Sequence, residues 1–221
     1  MKINVFVEGQ EDQELVAYLL TRLGKVTAWQ EAGKAFKGTT AAGNEVSLNI
    51  TNGWGSLVSG NLFPELSQSA EEEVMNLVVY DADRPGPQQG GNVQRRTQLL
   101  KIQQDNNLFF ELFLLPTDAQ DGQLEDLLQL LIPEVHQQVT DCFSSYEACV
   151  RQLRMPDGTA YNTPVAKSRI FAYLETLPLV PEEEKRLNKK RNTKFFDNPS
   201  YWNLEAPAVQ PLRAFLDLHI Q

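Results

Sequence analysis

Val74-Met75-Asn76-Leu77-Val78-Val79-Tyr80-Asp81-Ala82-Asp83 decides the fold. Its first seven residues are almost wholly apolar, too much so on both sides for a strand that faces water, and two carboxylates end the run. Similar runs stand at Ile3-Asn4-Val5-Phe6-Val7, ended by Glu8, at residues 45–50, and at residues 108–115, the most apolar of the four. Leu15, Val16, Leu19, Leu20 and Leu23 recur at helical spacing after the first run. Residues 93–104 are helical in composition, and a further helix is expected through residues 57–66. Strand and helix therefore alternate. Four nearly uninterrupted apolar strands predict a Rossmann-like α/β domain, a mainly parallel four-stranded sheet with helices on both faces.

The chain has 221 residues, 42% of them apolar. A chain of this length buries roughly 70–75% of its unfolded surface, so it needs no disulfide or structural metal to fold. Basic residues number 20 and acidic ones 29, a net charge of −9, which argues against a generic nucleic-acid coat protein. Eleven of the thirteen glycines fall by Gly91, and nine of the twelve prolines lie from Pro116 onward. The architecture is expected to change there: residues 1–116 form the α/β domain, and residues 117–221 a helical C-terminal extension packing on it as a cap. No run approaches the ~20 apolar residues of a membrane span, and the first strand is too short for a signal sequence. Cys142 and Cys149 would lie ~10 Å apart along a helix, too far for a disulfide. Reduced core thiols and a cytoplasmic location are the expectation.

In such sheets ligands bind beyond the carboxyl ends of the strands, where the strand order reverses. For four strands in the order 2-1-3-4, the reversal lies between the first and third, whose exits carry Glu8 and Asp81-Ala82-Asp83. Residues two apart in an extended segment point to the same side. Asp81 and Asp83 are therefore expected to aim at one point, with Glu8 arriving from the neighbouring strand. Three carboxylates there would repel one another unless a hard cation, Mg²⁺ or Mn²⁺, joined them. The competing reading is structural: an acid favoured by a helix dipole at Glu8, and two turn-forming aspartates before Pro85-Gly86-Pro87.

Val7-Glu8-Gly9 closing the first strand and Asp81-Ala82-Asp83 closing the third resemble the TOPRIM domain, shared by topoisomerases, bacterial primases and OLD-family nucleases. The resemblance covers about residues 1–116. Farther on, Leu114-Leu115-Pro116, Asp121-Gly122-Gln123-Leu124-Glu125 and the tail around Trp202 resemble a small bacterial family of stand-alone TOPRIM-like proteins. The likeness implies that Asp81 and Asp83 hold Mg²⁺ and that Glu8 is a ligand or a general acid/base. It further implies phosphodiester chemistry on DNA or RNA, as in a nuclease. Pro85 stands where topoisomerases carry a third aspartate, so the form is closer to the primase or OLD-nuclease variant. The alternative is a non-catalytic TOPRIM-like module that binds a nucleotide or a partner protein through the same edge.

Asp118, Asp121, Glu125 and Asp126 follow the fourth strand and could supply a second cation, ~4 Å from the first. They could equally mark an acidic helix N-terminus. Lys185, Arg186, Lys189, Lys190, Arg191 and Lys194 could track a phosphate backbone, with Phe195, Phe196, Tyr201 and Trp202 stacking bases. Otherwise they form a solvated helix paired with Glu182 and Glu183, its aromatics in the core. Lys167, Arg84, Arg95 and Arg96 are further candidate phosphate contacts. A P-loop, a G-x-S-x-G elbow and a second histidine near His136 are all missing, which disfavours P-loop nucleotidases, serine hydrolases and zinc enzymes.

Overall fold

A computed structural model describes residues 1–57, 66–67, 73–86, 90–189 and 194–221. In chain order the elements are β1 (Lys2–Val7), α1 (Gln10–Arg22), β2 (Gln30–Ala32), β3 (Ala35–Thr39), β4 (Glu45–Ile50), β5 (Val74–Asp81), α2 (Asn92–Asp105) and β6 (Glu111–Leu115). There follow α3 (Leu124–Leu131), α4 (Gln137–Gln152), α5 (Ala166–Thr176), α6 (Pro181–Lys189) and α7 (Gln210–His219). Most of the helix expected over residues 57–66 lies outside the described residues.

The protein is a mixed α/β molecule with one six-stranded, mostly parallel sheet in the order β2-β3-β4-β1-β5-β6. Strands β4, β1, β5 and β6 run parallel, whereas β2 and β3 form an antiparallel hairpin on the β4 edge. The sheet is therefore larger than the four strands expected from sequence. The hairpin escaped because it carries no buried apolar run: Gln30, Glu31 and Ala32 are all exposed. It is held by backbone pairing to β4, a force that leaves little trace in hydrophobic pattern.

Consecutive residues of β1 and β5, from Val5 to Val7 and from Leu77 to Tyr80, are wholly buried. Successive strand side chains point to opposite faces, so both faces of the sheet centre are covered. On one face Phe6, Val78, Tyr80 and Leu114 pack with Leu99 of α2 and with Leu108 and Phe110 ahead of β6. The Tyr80 hydroxyl in this layer donates to Thr51 Oγ1 at 2.9 Å, and that hydroxyl donates to the Val7 carbonyl at 3.1 Å. The side-chain N–H groups inside β1 and β5 are paired too: Asn4 Nδ2 donates to Asn76 Oδ1 at 3.0 Å, and Asn76 Nδ2 to the Phe109 carbonyl at 3.1 Å, while Asn4 Oδ1 has no partner among the described residues. Buried polar groups in a sheet need such partners.

The chain forms two compact units, Met1–Leu127 with Pro207–Gln221, and Leu128–Ala206. Residues 117–127 and α7 thus belong to the sheet unit. There the Phe215 ring of α7 lies 5.4 Å from that of Phe113, and Lys25 Nζ lies 2.8 Å from Asp217.

The second unit has its own aromatic centre. Tyr173 and Trp202 pack edge to face at 5.5 Å, the Tyr173 hydroxyl donates to the Tyr201 carbonyl at 2.8 Å, and the Tyr201 hydroxyl donates to Glu183 at 2.7 Å. Phe195, Phe196, Tyr201 and Trp202 are buried there, so they are core residues and present no face to nucleobases. Cys142 and Cys149 are free but exposed; α4 turns them outward, contrary to the expected core thiols. Among the described residues no helix is long and apolar enough to cross a membrane.

Candidate functional site

At the carboxyl ends of β1 and β5 the chain leaves the sheet at adjacent points. Glu8 follows β1 directly, and its Oε1 accepts the backbone N–H of Asp81, the last residue of β5, at 3.2 Å. Gly9 then opens α1, and its N–H donates to Asp12 Oδ2 at 2.9 Å, so Asp12 serves as the acidic partner that satisfies a helix-start donor. Asp81 Oδ1 accepts the Leu124 N–H, a free donor in the first turn of α3, at 2.8 Å. The starts of two helices and the ends of two strands meet here through these carboxylates.

Their electrostatics show which acids share the space. Burial, and then the charges of Asp12, Glu8 and Glu125, hold the Asp81 carboxyl well above the ordinary carboxylate range. Burial followed by the charge of Glu8 raises Asp12 to about 7, with Glu125 adding a smaller push. Glu8 is also raised to about 7, mainly by burial and by the charge of Asp83, against the pull of the Asp81 N–H and of Arg95. Asp12 and Glu125 are buried, while Glu8 and Asp81 keep partial exposure. Such crowding favours the protonated forms.

Asp83 is placed differently from the sequence expectation. Strand β5 ends at Asp81, and Asp83 adopts a left-handed backbone conformation, φ 61°. The segment is therefore not extended, and the rule that residues two apart share a side fails. The Asp83 carboxylate is instead ion-paired with Arg95 and accepts Gln123 Nε2 at 2.9 Å. Among the described residues no group of three Asp, Glu, His or Cys side chains is arranged to hold a metal ion.

The acids after β6 also separate. Asp118 accepts Arg96 Nη2 at 2.6 Å and the Leu114 N–H at 2.9 Å. Asp121 accepts the Asn92 N–H at the start of α2, at 2.7 Å. Asp126 binds Arg84 and the Gln123 N–H. Of these acids, Glu125 is the one whose charge acts on Asp12 and Asp81. The second cation site drawn from Asp118, Asp121 and Glu125 is thus not assembled: two of its members are occupied by α2.

Comparison with known proteins then places the chain. The chain belongs to the DUF3226 family. The family, described as "Protein of unknown function (DUF3226)", matches residues 2–221 and so spans both units. None of the curated proteins compared with the chain matches it.

Within this DUF3226 chain, the remaining candidates lie in the second unit. Lys167 is exposed in the first turn of α5, and Lys189 ends α6. Lys190 and Arg191 lie outside the described residues, as does the side chain of Lys189.

Does the carboxylate group suit a hard cation? Its donors are all oxygens, the ligands that Mg²⁺ and Mn²⁺ prefer. Among the described residues Asp12 Oδ1 is buried with no hydrogen-bond partner, an oxygen that burial penalises unless something binds it. The donor chemistry suits such an ion, although the described side chains are not arranged as a ready three-ligand site; Asp83 stands apart from Asp12 and Asp81, paired with Arg95. Asp12 was the residue that sequence reasoning missed: it lies inside α1, which begins at Gln10, whereas Glu8 lies before the helix, so neither strand nor helix periodicity pairs the two.

Proposed function

We propose that this DUF3226 member is a TOPRIM-like, divalent-metal-dependent enzyme that hydrolyses phosphodiester bonds in nucleic acid. The carrying observation is that the charges of Glu8, Asp12 and Glu125 all bear on Asp81, and those of Glu8 and Glu125 on Asp12, whose Oδ1 is buried without a hydrogen-bond partner among the described residues. Glu8, Asp12 and Asp81 would hold Mg²⁺ or Mn²⁺, with Glu125 beside them. Such an ion polarises a phosphoryl oxygen and lowers the pKa of bound water.

The chain's own groups supply the rest. Should Asp12 and Asp81 alone hold the ion, Glu8 would instead serve as general acid/base, taking or returning a proton at the oxygen not held by the Asp81 N–H. The Leu124 N–H fixes Asp81 Oδ1 and leaves its second oxygen for a ligand. Nucleic acid as the substrate rests on the resemblance of Val7-Glu8-Gly9 and Asp81-Ala82-Asp83 to the TOPRIM motifs. The position of the group, at the switch between β1 and β5, is where α/β sheets bind ligands.

The test is cleavage of end-labelled single- and double-stranded DNA and RNA by purified protein with Mg²⁺ or Mn²⁺. Cleavage that falls about 100-fold or more in Asp81→Asn and Glu8→Gln supports the reading. Intact substrates in every metal contradict it.

A further inference from the structure

We infer that Arg95 is a phosphate-binding group beside the carboxylates, and that Asp83 holds its guanidinium as a resident competitor. Arg95 projects from the first turns of α2 with a side chain only 2% exposed. Its guanidinium lies 4.5 Å from the Trp54 ring centroid, and Nη1 donates to Gln98 Oε1 at 3.4 Å. The plane is therefore fixed before any ligand arrives.

Asp83 uses that plane poorly. Only Nη2 binds the Asp83 carboxylate, through Oδ2, because Oδ1 is turned to Gln123. Among the described residues, buried Nε has no hydrogen-bond partner. A guanidinium edge presents two parallel donors suited to a bidentate anion, and here one is left unused. A phosphate group, with several oxygens, can fill both, which the monodentate Asp83 does not.

Exchange would also link this position to the carboxylates. Asp83 already lies near enough for its charge to act on Glu8. Released from Arg95, it returns a free carboxylate to the group in which the cation is proposed to bind. Phosphate on Arg95 and a cation on the carboxylates should then favour each other, a coupling that rests on the metal reading above. The Arg95 site itself does not.

The experiment measures binding of inorganic phosphate to the full chain without metal, then binding of Mn²⁺ with and without phosphate. Asp83→Asn is the informative variant, because asparagine tolerates a positive φ and only the competing charge is lost. It should bind phosphate about tenfold more tightly than wild type, since a charge-assisted competitor is gone. Arg95→Met should abolish phosphate binding, and Asp83→Asn/Arg95→Lys should weaken it at least about fivefold relative to Asp83→Asn, which keeps the question answerable should the methionine variant fail to fold. Saturating phosphate should tighten Mn²⁺ binding about fivefold in wild type and leave Arg95→Met unchanged. Phosphate binding no tighter in Asp83→Asn than in wild type, or surviving in Arg95→Met, would overturn the assignment and leave a purely structural ion pair. Loss of Mn²⁺ binding by wild type would instead overturn the metal reading, with the phosphate comparison still deciding Arg95.

Discussion

Glu8 Oε1 accepts the backbone N–H of Asp81 at 3.2 Å, tying the exits of two parallel strands that lie 73 positions apart in sequence. The bond holds one acid against another in a partly buried place, where neither ionises at its ordinary pH. From that juxtaposition comes an inverted pH response. Glu8 titrates near 4.5 in an unfolded chain and at about 7 in the folded one. The folded state therefore binds the proton more tightly, and its stabilising contribution is complete below 4.5 and lost as pH rises through about 7. Metal-free protein should become less stable between these limits, by about 3 kcal/mol from Glu8, with Asp12 acting in the same direction. Urea unfolding across that range checks it; stability that rises with pH would contradict it.

Neutralising the group should have the opposite effect of most site mutations. Glu8→Gln keeps the shape, retains an acceptor for the Asp81 N–H and removes one of the repelling charges. At about pH 8 the metal-free variant should be more stable than wild type by about 1–2 kcal/mol. At about pH 4.5 the two should converge. Equilibrium denaturation at both pH values measures the difference.

The strand ends were legible because each long apolar run stops abruptly at an acid, and parallel, doubly buried strands show that pattern strongly. Glu8 and Asp81 follow from it. Asp83 does not: its positive φ and its pairing with Arg95 and Gln123 are set by residues 12 and 40 positions away, which strand periodicity cannot contain. The β2–β3 hairpin was hidden for a different reason, its exposure. Glu125 was visible as an acid near a helix start, but which neighbours it would join depends on how α3 is seated against β5.

Beside the site, the hydroxyl of Tyr80, which feels the charge of Glu8, offers a comparison. Tyr80→Phe removes its bond to Thr51, while the Thr51 hydroxyl keeps the Val7 carbonyl. A loss of about 1 kcal/mol is expected, with no change in the response to Mg²⁺. An altered metal response would mean that the ring layer and the carboxylate group are coupled.

In the second unit, Glu147 is buried between Arg169 at 2.6 Å and the more exposed Arg151 at 3.2 Å. Arg169→Met should cost about 2–4 kcal/mol, because it leaves a buried carboxylate with its weaker partner. Arg151→Met should cost less than about 0.5 kcal/mol. Thermal unfolding of the two variants orders them, and equal losses would refute the assignment of Arg169 as the main partner.

The most direct measurement is the thermal midpoint at about pH 8 with and without about 10 mM Mg²⁺, for wild type and for Glu8→Gln/Asp81→Asn. With an affinity near ~1 mM, binding stabilises wild type by about 1.4 kcal/mol, or about 3–5 °C for a chain of this size. The double variant should not move. A wild-type midpoint indifferent to the ion, or an equal rise in the variant, would contradict a cation held by these carboxylates.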